Sequence, residues 1–353
     1  MSYHITTGRR VLTLFAAAAL TLTACSSGDT TATGDGAATG EPAAADSGEI
    51  GFSESFLTDA FQVQLVKQLG EQATAAGVNL LPAVNADGDA AKQNADITTL
   101  LGRGVKGLIV VPVDSKAVAP AIGRANDKNV PVVTVDLGAD SGKIYMVVRA
   151  DNVFMGTAAC EYMGKQINGE GTVLDLQGDL ATQNGQDRSK GFTTCMAEKF
   201  PNVKVISKPM NWKPDECATQ AQTVLSTEKL TGLFMGSESV CLAGVQQALR
   251  KQGKLTKVGD PDHIVTVGID GSKAALEAVR EGTLDAVVSQ PLDLYAKYGI
   301  QYIQDAIAGK TYQPGPTDHD STIVEVGESL QDLLPSPTVT KENVDDPSLW
   351  GNG

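Results

Sequence analysis

Residues 107–136 read GLIVVPVDSKAVAPAIGRANDKNVPVVTVD. GLIVVPV (107–113) and VPVVTVD (130–136) are short β-branched runs that close on turn residues, with a helical stretch between them. Strand, helix, strand is a βαβ unit, and such units build a parallel sheet covered on both faces. The same alternation continues outward. EIGFSES (49–55) and VNLLPAV (78–84) precede it; TVLDLQG (172–178), VKVISKP (203–209), LTGLFMGS (230–237), IVTVGID (264–270) and LDAVVSQ (284–290) follow. The helices between are amphipathic: in 59–76, Phe61, Leu65, Leu69 and Ala73 share one face. The expected fold class is therefore α/β, with two doubly wound, Rossmann-like parallel-sheet lobes split near residue 150. A length of 353 residues agrees with two domains.

The N-terminus has a different character. Arg9 and Arg10 precede the uncharged run VLTLFAAAALTLTA (11–24), which is shorter than the roughly 20 residues of a membrane span. A basic region before a short apolar run reads as a secretory signal, here residues 1–24. The run ends Leu22-Thr23-Ala24-Cys25. This resembles the lipobox of bacterial lipoproteins, which implies that Cys25 is lipidated and that the chain is exported and anchored outside the cytoplasmic membrane. Residues 25–48 contain little but Ser, Gly, Ala, Thr and acidic side chains, and read as a flexible linker.

Composition excludes several functions. With 28 Lys+Arg against 42 Asp+Glu the net charge is −14, which argues against nucleic acid, since phosphate binding needs clustered cations. Three histidines, at 4, 263 and 319, leave little from which to assemble a His-based catalytic cluster. Gly102-Arg-Gly-Val-Lys-Gly107 fits G-x-G-x-x-G, but it follows a helix and precedes a strand, the reverse of the dinucleotide context. It reads as a helix stop and turn. Asp318-His319-Asp320 reads as a solvated loop rather than a metal site. Asp87-Gly88-Asp89 lacks the later ligands of a calcium loop, and Asp89 is expected to cap a helix at 90–101.

In open α/β sheets ligands bind beyond the carboxyl ends of the strands. Here those positions hold carboxylates, amides, hydroxyls, one arginine and two aromatics, without a proton shuttle or an obvious nucleophile. Cys160, Cys195, Cys217 and Cys241 show no C-x-x-C spacing, and in an exported protein they are expected to pair, with free buried thiols as the alternative. Four cysteines allow three connectivities. If the second lobe has a flavodoxin-like strand order 2-1-3-4-5 with right-handed crossovers, the Cys160 and Cys195 helices share one face and the Cys217 and Cys241 helices the other. The expected bridges are Cys160–Cys195 and Cys217–Cys241.

Ile122–Asp136, Ala150-Asp151-Asn152, Arg188–Phe192 (RSKGF), Val267–Gly271 (VGIDG) and Val288-Ser-Gln290 together resemble the ribose-binding branch of the type I periplasmic binding proteins, the substrate-binding lipoproteins of carbohydrate ABC importers. The resemblance spans residues 49–327. LacI-type repressors share the fold but begin with a helix-turn-helix, where this chain has a signal sequence. The resemblance implies the type I periplasmic binding protein fold, its lobes joined by a three-stranded hinge. Residues 49–150 plus 291–318 would form the first lobe, 151–290 plus 319–327 the second, and 328–353 a tail anchored by Leu349 and Trp350. The crossings are expected near Val148–Asp151, Gln290–Leu292 and the loop 311–321. It implies a ligand site from Asp59, Phe61 and Gln62, then Asp136 with Leu137, Arg188, Trp212, Ser237 with Glu238, Asp270 and Gln290. Where the family usually carries an Arg the chain has Leu137, and two usual Asn positions hold Val111 and Ser237 beside Glu238. Loss of a cation and amides beside an added acid points to a linear or smaller sugar alcohol, a pentitol or tetritol. No enzyme activity, cofactor or metal is implied. The partners would be a sugar or polyol and an ABC transporter permease, with membrane contact through the lipid anchor only and a monomeric state. A receptor for a sugar-like autoinducer, feeding a sensor kinase, is the alternative. A glycosidase using Asp59, Asp136 or Asp270 is the weaker one.

Overall fold

A computed structural model describes residues 48–353. The expectations for the leader, for Cys25 and for the linker up to residue 47 lie outside the described residues.

The first lobe runs β1 (Glu49–Glu54), α1 (Ala60–Ala75), β2 (Asn79–Leu80), β3 (Val84–Asn85), α2 (Ala90–Arg103), β4 (Gly107–Val110), α3 (Ala119–Asp127), β5 (Val132–Val135) and β6 (Met146–Ala150). The second runs α4 (Asn152–Gln166), β7 (Glu170–Gln177), α5 (Gln183–Lys199), β8 (Asn202–Pro209), α6 (Pro214–Thr227), β9 (Gly232–Met235), α7 (Glu238–Lys251), β10 (Val265–Asp270), α8 (Lys273–Glu281) and β11 (Ala286–Ser289). The chain then returns through α9 (Leu292–Ile307), β12 (Gly315–Pro316), β13 (Thr322–Val326), β14 (Ser329–Leu334) and β15 (Thr338–Val339), and ends in a 3-10 turn at Trp350–Asn352.

Every residue of β4, β5, β6, β9, β10 and β11 is buried, as expected of parallel strands with helices on both faces. The strand order is β12-β13-β14-β6-β5-β4-β1-β2 in one sheet, with β3 also on β1, and β15-β11-β10-β9-β7-β8 in the other. The parallel core of each lobe is thus ordered 2-1-3-4-5 in its own numbering. Local chemistry sets the helix boundaries. The side chains of Asp59, Asp89, Asp151, Thr182 and Ser272 accept backbone N–H groups at the starts of α1, α2, α4, α5 and α8. Gly104 ends α2 in the left-handed region at φ 83°, which accounts for the G-x-G-x-x-G stretch as a helix stop.

Helices α4 and α5 pack at backbone distance. A Cβ at Gly156 would lie 2.1 Å from the carbonyl oxygen of Arg188. The Cys160–Cys195 bridge joins the same two helices, and Cys217–Cys241 joins α6 to α7.

The return path differs from the sequence expectation. Residues 319–327, assigned to the second lobe, contribute β13 to the first-lobe sheet. The segment taken as the start of a tail supplies β14, which lies parallel to β6 with Asp332 opposite Val148. The third crossing is therefore Leu334–Thr338 (LPSPT) and not the loop 311–321. It lies beside the other two: Asp151 N donates to Leu334 O at 3.4 Å and Ser289 N to Pro337 O at 2.9 Å. His319 is not in a solvated loop. It stacks on Tyr298 at 3.7 Å between centroids, and its Nε2 is 2.9 Å from Asp332, a fully buried carboxylate that also accepts from Tyr302 Oη at 2.9 Å. VNLLPAV forms two bridges to β1, β2 and β3, interrupted at Pro82, instead of one strand.

Replacing both cysteines of either bridge by Ala should lower unfolding stability by about 2–4 kcal/mol per bridge. Urea unfolding checks this, and midpoints equal to that of the parent protein would contradict it.

Candidate functional site

Two carboxylates end strands on facing edges of the lobes. Asp136 follows β5 at φ 67° and Asp270 ends β10 at φ 138°, backbone conformations that non-glycine residues rarely hold and that concentrate at functional sites. Asp136 Oδ2 accepts from Gln62 Nε2 at 3.2 Å, within the first lobe. Its Oδ1 accepts from Asn184 Nδ2 at 2.8 Å, across the cleft. Arg149 also crosses, with Nη2 2.7 Å from Asp187 and 2.9 Å from Asn184 Oδ1. The lobes are therefore closed on one another.

Asp270 sits in a denser cage. Oδ1 accepts from Gln290 Nε2 at 2.9 Å and from Arg188 Nη1 at 3.5 Å; Oδ2 accepts from the hydroxyls of Ser237 and Ser239, each at 2.6 Å. Arg188 is itself fixed, donating from Nε to Asn152 Oδ1 at 2.7 Å and from Nη1 to Gly236 O at 2.8 Å. Its guanidinium lies 5.6 Å from the Trp212 ring centroid, within cation–π range. Gln290 is oriented by the Tyr295 hydroxyl, which donates to Gln290 Oε1 and accepts from Ala150 N, both at 2.7 Å. That one phenol ties two of the three crossings together.

Between these groups lies a cavity lined by Asp59, Phe61, Gln62, Asp136, Leu137, Arg188, Trp212, Ser237, Asp270 and Gln290. Glu238, expected among them, is turned away. Its Oε1 accepts from the N–H groups of Gly271 and Ser272 at 2.9 and 2.6 Å, and its Oε2 from Ser272 Oγ at 2.8 Å, so it braces α7 against the turn into α8. The lining also includes Thr182, Asn184 and Ser239, which were not singled out. Their sequence signal was their place directly after β7 and β9.

Three lining carboxylates face one arginine. Gln62 Oε1 is buried without a partner, an acceptor open to a donor in the cavity. Burial pushes Asp59 up to about 7, with the Gln62 N–H opposing and Asp270 and Asp136 adding like charge. Asp136 rises to about 6, again through burial, with Arg188 opposing. Glu238 rises to about 8 through burial and the nearby Asp270. Such a wall suits a neutral ligand rich in hydroxyl donors: carboxylates accept from vicinal hydroxyls, and Phe61 and Trp212 offer apolar faces to C–H groups. Among the described residues, no group of three or more His, Cys, Asp or Glu is placed to hold a metal ion. None of the described helices is long and apolar enough to cross a membrane.

Two hinged α/β lobes closed over a hydrogen-bonding cavity, with a carboxylate from each side, define a receptor that binds a small solute by enclosure. The chain belongs to the periplasmic binding protein family, whose domain matches residues 50–311. The domain that it matches is one of binding proteins. It is similar to the ribose import binding protein of Bacillus subtilis (29% identity, covering 75% of this chain and 83% of that one). It is also similar to the xylitol-binding protein of Mycolicibacterium smegmatis (27% identity, 93% of this chain and 84% of that one). A solved ABC transporter solute binding protein from Mycobacterium smegmatis with bound glycerol superposes with a TM-score of 0.72 (25% identity, 84% of this chain and 95% of that one).

The raised carboxyls have a consequence for stability. Each binds its proton more tightly in the folded than in the unfolded chain. Their contribution is fully present below about pH 4 and is lost as the pH rises through about 6 for Asp136, about 7 for Asp59 and about 8 for Glu238. The melting temperature of the unliganded protein should fall from about pH 5 to about pH 8.5. Glu238→Gln, an uncharged mimic of the protonated acid, should flatten the upper part of that fall. Calorimetry across this range checks it; a rising melting temperature would contradict the assignment.

Proposed function

We propose that this protein captures a monosaccharide or sugar alcohol, a pentitol or tetritol in particular, between its lobes and delivers it to an ABC import permease. The reading rests on one observation. Asp136 and Asp270 face one closed cavity from opposite lobes, and Leu137 follows Asp136 where a ribose-type site would carry a cation. Acceptors then outnumber donors in the wall. A flexible polyol can turn every hydroxyl toward them, whereas the ring oxygen of a pyranose needs a donor. The alignment with a xylitol-binding protein over most of the chain supports the same ligand class. The ligand contacts we assign are the lining residues, without Glu238.

The delivery step follows from closure. Lobes that shut on their solute present a face that an open receptor lacks, and a permease can read it. We further infer that the protein acts as a monomer, exported and held at the outer side of the cytoplasmic membrane by lipid on Cys25. This is supported by the basic and apolar leader and the small residues before that cysteine.

A thermal-shift screen with ribose, xylitol, threitol and erythritol tests the ligand class. A bound polyol at about 100 times its Kd adds about 2.7 kcal/mol to stability. Tight binding of ribose with no response to the three alditols would overturn the reading. Arg188→Ala should abolish the shift and also destabilise the unliganded protein by about 3–5 kcal/mol, since Asp270 would remain buried without its cation. Cys25→Ala should move the protein from the membrane to the soluble fraction; a membrane-bound variant would refute the anchor.

A further inference from the structure

The last residues of the chain reach the cavity wall from behind. Trp350 is 9% exposed, and its indole Nε1–H donates a 2.7 Å hydrogen bond to the main-chain carbonyl of Asp270. Its ring meets Phe61 edge-on, with centroids 6.1 Å apart and planes at 75°. Phe61 meets Tyr295 in the same way, at 6.1 Å and 82°. Asp270 belongs to the second lobe and Phe61 to the first, so a single indole touches a cavity-lining residue of each.

The segment is held firmly enough to act. A Cβ at Gly351 would lie 2.4 Å from the Gly271 carbonyl oxygen, so the backbone here packs directly on the turn that follows Asp270. Arg280 of α8 donates to Asp345 at 2.7 Å and to Asn352 Oδ1 at 2.6 Å, clamping both ends of the segment. The bond from Trp350 also falls where the main chain most needs support. Asp270 is held at φ 138° and Gly271 at φ 93°, and the Asp270 side chain accepts from Arg188, Gln290, Ser237 and Ser239. Its carbonyl accepts from Gln290 N at 2.8 Å, and the indole of Trp350 adds a second short donor there, from outside the lobe's own strands. The family's domain match ends at residue 311, so this contact comes from beyond the matched part of the chain.

We propose that Trp350 is a positioning residue for solute binding: it ties the backbone of Asp270 in the second lobe to the ring of Phe61 in the first and fixes the two across the cleft. The inference rests on the cleft being the solute site, and its test has one arm that needs no solute.

The full chain is compared with Trp350→Phe and Trp350→Ala. In titrations with xylitol, Trp350→Phe keeps a ring against Phe61 but loses the N–H donor, and should weaken binding roughly two- to tenfold. Trp350→Ala loses both contacts and should weaken it roughly ten- to a hundredfold. In the unliganded state, hydrogen exchange in Trp350→Ala should quicken both at the start of α1, around Phe61, and at the turn 270–272. Unchanged xylitol affinity with only a lower melting temperature would overturn the proposal, because the segment would then be packing alone. So would exchange that quickens at 270–272 but not at α1. If xylitol binds none of the three proteins, the polyol reading fails, and the exchange result still decides the role of Trp350.

Discussion

Asp270 is a carboxylate placed almost wholly out of water, and much of the second lobe is organised around keeping it there. An isolated buried charge would cost far more than the stability of a domain, so it must be met by donors from several elements. Arg188 comes from α5 and can reach it because α4 lies at backbone distance, letting Asn152 hold the guanidinium. Ser237 and Ser239 come from the end of β9 and the start of α7. Gln290 comes from the second crossing, held by Tyr295 of the first lobe. A single anion thus connects the close-packed helix pair, the strand ends and the hinge.

The same connections give the receptor its asymmetry. In the first lobe Asp136 is met by two amides, from Gln62 and Asn184, and by no bonded cation. In the second, Asp270 has an arginine and three neutral donors. The crossings keep this register: three strands pass between the lobes side by side, and the phenol of Tyr295 bonds to the main chain of one and the side chain of another.

Much of the architecture was legible because parallel strands buried on both faces must be written as unbroken apolar runs. β4, β5, β9, β10 and β11 read that way, and their ends located Asp136, Asp270 and Gln290. Strands that bury polar groups did not. β6 contains Arg149, which crosses to Asp187, and β14 contains Asp332, which is satisfied by Tyr302, His319 and Ser321. Their partners are distant in sequence, so the charge read as solvent exposure and the third crossing was misplaced. Glu238 was misassigned for a local reason. It opens α7 directly after Ser237, and the turn into helix carries its side chain from the cavity wall to the N–H groups of Gly271 and Ser272. The contact between Trp350 and Asp270 joins residues 80 apart and leaves no periodic trace.

The sequence contains only two tryptophans. Trp212 lines the cavity beside Arg188, and Trp350 touches Phe61 and the carbonyl of Asp270. No indole lies elsewhere in the chain to dilute their light. The tryptophan fluorescence of this protein is therefore emitted from the cavity and its rear wall. One chromophore faces the cavity and the other the frame behind it, so a change in either leaves its own mark on the emission.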